Sequence, residues 1–307
     1  MDNFADRLTA AMLGKRSQLC VGLDPRVSGM PATLVKKHRA GVQEGGGSGR
    51  QAVAACFEEF CYEIIEAVSP HAAAVKIQLA CFEPYGPPGM RAFQHVCDLA
   101  SEAGLIVIAD AKRGDIAISA QAYSAAYLGR AEGLNGPVRP LRVDAMTVNP
   151  LFGTDGVAPF LEDCRRFGKG IFVLVKTSNP GSVEFQDLHV QGDGLFYEQV
   201  AARVDSWGEG LAGESGYSSV GAVIGATQPD ILASLRETLP RAVFLVPGAG
   251  AQGAGAAEAA AAFDKKGLGA LITASRSIIY AGGGGKFAAR AAEAARRMQQ
   301  ELWSSTH

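Results

Sequence analysis

Eight short apolar runs recur along the chain with amphipathic segments between them, and this alternation constrains the fold more than any other feature. The runs are Gln18–Gly22, Ala74–Gln78, Leu105–Ala109, Ala145–Asn149, Ile171–Lys176, Val220–Gly225, Val243–Pro247 and Ala270–Thr273. Their length and β-branched content fit strands buried on both faces. Between them, Phe57–Val68, Ala92–Ala103, Ala120–Glu132 and Pro229–Leu239 carry apolar residues at three- and four-residue intervals, the period of a helix packed on one side. Strict strand–helix alternation predicts a parallel sheet, and eight such units predict an α/β protein with a closed (β/α)8 TIM barrel, one domain over residues 1–307. The opening segment Asn3–Leu13 places Phe4, Leu8 and Met12 on one face, which suits a helix closing the barrel bottom. Two segments break the rhythm. His38–Arg50, with Glu-Gly-Gly-Gly-Ser-Gly, reads as a flexible insertion, and Ser206–Ser219, with four glycines, reads as a loop.

In a parallel barrel, ligands and chemistry sit at the C-terminal ends of the strands. The third run, Leu105-Ile-Val-Ile-Ala109, leads directly into Asp110-Ala-Lys112-Arg-Gly-Asp115-Ile116. Two acids flanking a lysine can hold it charged and aimed, which suits proton donation to a carbanion; a solvated salt-bridge cluster is the plainer reading of the same residues. The other strand ends carry Asp24-Pro25-Arg26, Lys76, Asn149-Pro150, Thr177-Ser178-Asn179-Pro180-Gly181, Pro247 with a glycine-rich loop, and Ser275-Arg276-Ser277. Each alone could be a turn or a snorkelling side chain. Independent loops have no reason to agree in placing such groups at one face.

Gly248-Ala-Gly250-Ala-Gln252-Gly253 satisfies the G-x-G-x-x-G pattern of a dinucleotide site, but it follows the seventh strand, and the next strand ends in Ser275-Arg276, not in an acid for a ribose. A glycine-rich loop after strand seven with an arginine after strand eight fits a phosphate monoester instead. Gly282–Gly285 followed by Lys286 is not a Walker loop, because Phe287 stands where Ser or Thr is needed.

Composition removes other classes. Hydrophobic residues make up 48% of the 307 and the formal net charge is −2, so there is apolar material for a large core and no basic footprint for nucleic acid or anionic membrane. No apolar run approaches the roughly 18 residues of a membrane span, and the acidic N-terminus lacks the order of a signal peptide, so a cytoplasmic location is expected. The six cysteines show no C-x-x-C spacing and are expected to be reduced core thiols. The five histidines are scattered, which argues against a zinc site or a histidine-based triad. Carboxylates, lysines and backbone are left to do the chemistry.

Taken together, Asp110-Ala-Lys-Arg-Gly-Asp115-Ile, Thr177-Ser-Asn-Pro-Gly, Val246-Pro-Gly-Ala-Gly-Ala-Gln-Gly and Ala274-Ser-Arg-Ser-Ile resemble orotidine 5′-phosphate decarboxylases. Cys20-Val-Gly-Leu-Asp-Pro-Arg26 and Met146-Thr-Val-Asn-Pro150 are similar to the longer bacterial variety, and the likeness runs from about residue 4 to 290. The resemblance implies a homodimeric barrel with shared active sites that removes CO2 from orotidine 5′-phosphate to give UMP, the last step of de novo pyrimidine synthesis, without metal or organic cofactor. By position, Lys112 resembles the lysine that protonates C6 and Asp110 the acid beside the departing carboxylate. Asp115 corresponds to the acid supplied by the partner subunit, with Ile116 and Ser119 beside it. Lys76 and Asp24 resemble the ribose-binding pair and Ser178 the residue that reads the pyrimidine. Gln252 and Arg276 match the phosphate grip, and Pro247 and Ser275 also fall on substrate-binding positions. The glycine-rich insertion departs from shorter family members. Two other classes stay open at this stage: a Mg²⁺-dependent sugar-phosphate enzyme, since such barrels share D-x-K-x-x-D, and a non-catalytic phosphosugar-binding barrel.

Overall fold

The computed structural model describes residues 2–45, 48–139, 141–192, 194–226, 228–248, 259–282 and 286–307. Eight parallel strands close into a barrel in sequence order, β1 (Leu19–Leu23), β2 (Ala74–Gln78), β3 (Ile106–Arg113), β4 (Ala145–Val148), β5 (Gly170–Lys176), β6 (Ser218–Ile224), β7 (Ala242–Pro247) and β8 (Ala270–Ala274). Closure comes from β1 pairing with β8 through Cys20↔Thr273. The helices are α1 (Phe4–Lys15), α2 (Ala32–Gly45), α3 (Gly49–Val68), α4 (Gly86–Glu102), α5 (Ala117–Tyr127), α6 (Gly153–Phe167), α7 (Phe196–Gly208) and α8 (Pro229–Thr238), followed after β8 by Arg276–Ile279 and Phe287–Thr306.

Strand alternation divides the core in two. On β5, Phe172 faces the barrel interior, while Ile171, Val173 and Val175 face the helices. The interior layer, with Cys20, Ile108, Phe172, Leu245 and Leu271, is plugged from below by Phe4, Leu8 and Met12 of α1. The Phe4 ring meets Phe172 edge-on at 5.9 Å. Gly170 makes room for it, since a Cβ there would stand 2.2 Å from the Phe4 ring. Burying a side chain of this size contributes about 2–3 kcal/mol. The expected bottom-closing helix is therefore present, capped by the Asn3 side chain, which accepts from the N–H of Ala5 at 2.7 Å.

Within the flexible insertion expected over residues 38–50, the described residues are helical up to Gly45 and again from Gly49, while 46 and 47 lie outside the described residues. Helix α2 continues to Gly45, and α3 starts at Gly49 under a capping box in which Ser48 accepts from the N–H of Gln51 and Gln51 accepts from the N–H of Ser48. This reciprocal cap satisfies two end groups at once and offsets the helix cost of the neighbouring glycines. The loop expected over Ser206–Ser219 begins only after α7 ends at Gly208. Five of the six cysteines are buried, all are free thiols, and Cys81 is half-buried. Among the described residues, no helix is long and apolar enough to cross a membrane.

Candidate active site

The charged groups converge because of strand register. In the β2–β3 pair, Gln78 stands opposite Asp110 and Lys76 opposite Ile108. Lys76 and Gln78 are two residues apart on one strand face, so both reach the Asp110 carboxylate. Lys76 Nζ donates to Asp110 Oδ2 at 2.5 Å, and Gln78 Nε2 donates to the same oxygen at 3.0 Å. Lys112 Nζ donates to Asp110 Oδ1 at 2.5 Å, and the Thr147 hydroxyl donates to that oxygen at 2.9 Å. Asp24, at the end of β1, completes the array 3.8 Å from Lys76 Nζ.

Strand β3 runs four residues beyond the apolar core of the motif and shifts register against β4 between Ala109 and Arg113. Lys112 sits there with φ of 46°, a left-handed conformation that costs a non-glycine residue of order 1 kcal/mol. Its backbone N–H donates to Thr147 Oγ1 at 2.9 Å, so Thr147 holds both the strained backbone and the carboxylate that receives the lysine. Lys76 is 6% exposed, whereas the Lys112 side chain is 46% exposed and projects into the open cavity. Burial opposes ionisation of Asp110, but Lys76 and Lys112 outweigh it and hold the carboxyl well below the usual carboxylate range. Burial likewise opposes charge on Lys76, and Asp110 and Asp24 outweigh it and push that ammonium above the ordinary lysine range.

These groups line a cavity of about 450 Å³ at the C-terminal mouth of the barrel. Asp24, Lys76, Asp110 and Lys112 line it from β1, β2 and β3, and Ser178, Pro247, Ser275 and Arg276 line it from the ends of β5, β7 and β8. Leu174, Val223 and Leu245 supply an apolar floor. Ser275 reaches the mouth by close packing on β1, since a Cβ at Gly22 would stand 1.9 Å from Ser275 Oγ. The Tyr280 hydroxyl pins the loop after β1, accepting from the N–H of Arg26 at 2.8 Å and donating to the Asp24 carbonyl at 3.3 Å. Among the described residues, no group of three or more His, Cys, Asp or Glu side chains could hold a metal ion.

The model of the orotidine 5′-phosphate decarboxylase / HUMPS family matches residues 17–292. This chain belongs to the orotidine 5′-phosphate decarboxylase family. With that membership it is a carboxy-lyase of pyrimidine synthesis. The orotidine 5′-phosphate decarboxylase of Rhodopirellula baltica is 46% identical over 282 residues, covering 92% of this chain and 89% of its own. That of Deinococcus radiodurans is 42% identical over 301 residues, covering 97% and 96%. The solved OMP decarboxylase of Leishmania donovani superposes with a TM-score of 0.73 at 34% identity, covering 99% of this chain and 98% of the other.

Of the residues the decarboxylase motifs single out, Asp24, Lys76, Asp110, Lys112, Ser178, Pro247, Ser275 and Arg276 are brought together at one cavity. Asp115, Ile116 and Ser119 are not; they lie at the start of α5, with Ile116 and Ser119 exposed and the Asp115 carboxylate turned back to accept from the N–H of Ile116 at 2.8 Å. Gln252 lies outside the described residues. Sequence reasoning missed Gln78 and Thr147 as partners of Asp110. Gln78 carried a signal, its two-residue spacing from Lys76 on a strand, and Thr147 stood inside a motif already quoted.

Proposed function

We propose that this chain, as a single-domain cytoplasmic barrel, removes CO2 from orotidine 5′-phosphate to give UMP, with Lys112 as the proton donor. The observation that carries the reading is the placement of one exposed lysine, Lys112, on a buried carboxylate at the cavity wall, with Arg276 lining the same cavity. Relatives at 41–46% identity are decarboxylases of orotidine 5′-phosphate by name, which sets aside the Mg²⁺-dependent sugar-phosphate reading and the non-catalytic one.

The chemistry follows from charge. When the C6–carboxylate bond breaks, its electron pair stays on C6, and the developing negative charge needs a fixed positive partner. The Lys112 ammonium supplies it and then transfers a proton to C6; solvent restores the proton afterwards. Asp110 keeps that ammonium charged and aimed, and it disfavours a second carboxylate placed beside it. Lys76 and Asp24 hold the ribose hydroxyls, Ser178 reads the pyrimidine, and Arg276 with the glycine-rich loop, Gln252 included, grips the phosphate. Binding energy from the remote phosphate is thereby available at the reacting ring.

The second element of the proposal is a homodimer with shared sites. Asp115 lies on a loop packed against the start of α6: a Cβ on Gly156 would stand 2.9 Å from the Asp115 carbonyl oxygen and 2.7 Å from Phe152 Cβ. Around that loop, Ile116, Ile118, Leu151 and Phe152 are all more than half exposed. Such an apolar patch favours burial against a second copy, which would carry Asp115, Ile116 and Ser119 to the neighbouring cavity. Loss of orotidine 5′-phosphate absorbance on adding metal-stripped protein tests the activity; no loss at high enzyme concentration would refute it.

A further inference from the structure

Strand β5 ends on a lysine that the proposed reaction does not use. Lys176 is 1% exposed, yet it does not line the cavity. Its Nζ donates to Asp187 Oδ1 at 2.5 Å and to Ser182 Oγ at 3.3 Å, and it lies 5.6 Å from the centre of the Tyr197 ring. A bulge explains its direction. Leu174 pairs with Val223 and Lys176 with Ile224, so β5 holds one residue more than β6 at this point. Leu174 points into the barrel and lines the cavity; simple alternation would send Lys176 the same way, and the extra residue turns it to the helix side instead.

An ammonium this deep needs partners, because leaving it unpaired carries its full desolvation cost. The loop that supplies Asp187 and Ser182 is thus tied to the strand end. The same loop is closed on itself, with the N–H of Thr177 donating to Gln186 Oε1 and Gln186 Nε2 donating to Thr177 Oγ1, both at 2.9 Å. From the other side, the N–H of Gly225 donates to the Lys176 carbonyl at 2.8 Å. Gly225 also has no side chain to spare room for: a Cβ there would stand 2.8 Å from Ser178 Cβ and 3.0 Å from Ser178 N and Cα. Ser178 is held between the strand end that Lys176 fixes and the glycine that follows β6. Thr177, Ser178 and Asn179 all face the cavity.

We propose that Lys176 is a positioning residue for base recognition: its buried charge, anchored by Asp187, sets the loop after β5 so that Ser178 meets the pyrimidine. This rests on the reading that Ser178 contacts the base. Lys176→Met keeps an unbranched side chain one atom shorter, without the charge, and leaves Asp187, 31% exposed, free to be hydrated. Asp187→Asn removes the anchor from the other end and serves if the Met variant fails to fold. The probes are UMP, which carries the base, and ribose 5-phosphate, which lacks it. In folded protein, either variant should bind UMP at least tenfold more weakly and ribose 5-phosphate within twofold of wild type. In a Ser178→Ala background, Lys176→Met should cost little further UMP affinity, because the lysine acts through the serine. Unchanged UMP binding, equal losses for both probes, or an additive double variant would each overturn the proposal. A Ser178→Ala protein that binds UMP as tightly as wild type would overturn the assignment of Ser178 and the proposal with it, whereas additivity overturns the proposal alone.

Discussion

Lys76 and Lys112 donate to opposite oxygens of one carboxylate, that of Asp110, each at 2.5 Å. Both line the cavity, Lys76 nearly buried and Lys112 half exposed, so a single acid links the barrel interior to the reacting group.

The Lys76–Asp110 pair should make stability pH-dependent. The folded-state pKa of Asp110 lies below its unfolded value near 4, so its contribution is full above that pH and is lost as the pH falls through the folded value. Lys76 gives the converse limb, with stability lost only as the pH rises through a folded pKa above the ordinary lysine value. Asp110→Asn strands a buried ammonium beside Asp24 alone and should cost about 3 kcal/mol at neutral pH. Urea melts at several pH values check this; the variant should lose less stability than wild type on going below about pH 4.

Arg276→Ala removes a charge-assisted contact to the substrate phosphate. The loss in kcat/KM should be about 3 kcal/mol, on the order of a hundredfold. A substrate lacking the phosphate should react poorly with wild type and show little further loss with the variant. If the variant lowers turnover of that truncated substrate as much as it lowers the full one, Arg276 does not hold the phosphate.

Asp115 gives a test of the shared site. Lys112→Ala and Asp115→Ala homodimers should each be nearly inactive. After subunit exchange, about half of the dimers are mixed, and each mixed dimer regains one intact site of two, so roughly a quarter of wild-type activity should return. Exchange confirmed by mass spectrometry without recovery of activity would assign Asp115 to its own chain.

The barrel was legible because its strands are almost pure apolar runs between helical periods, a pattern that follows from burial on both faces. The end of β3 was not. Asp110, Lys112 and Arg113 read as a loop, since nothing in a charged string marks a strand that continues through a register shift with Lys112 in left-handed conformation. The helix ends around Gly45 and Gly49 were hidden by glycine content, although Ser48-Gly-Arg-Gln51 carries the spacing of a capping box. The charged wall of the cavity was readable as motifs at strand ends. The Lys176–Asp187 pair was not, because its partners stand eleven residues apart, one of them in an irregular loop, and only the bulge in β5 aims the lysine at the acid.

The most direct measurement follows orotidine 5′-phosphate consumption and CO2 release by metal-stripped wild type and by Lys112→Ala. Wild type should turn over in the presence of EDTA, with one CO2 released per UMP formed. Lys112→Ala should lose at least about 10³-fold in kcat/KM, roughly 4 kcal/mol of transition-state stabilisation, while its melting temperature and UMP affinity stay close to wild type, since the lysine is half exposed and acts in the transition state. Activity of Lys112→Ala within tenfold of wild type, or wild-type turnover that appears only when Mg²⁺ is restored, would contradict Lys112 as the proton donor of a cofactor-free decarboxylase.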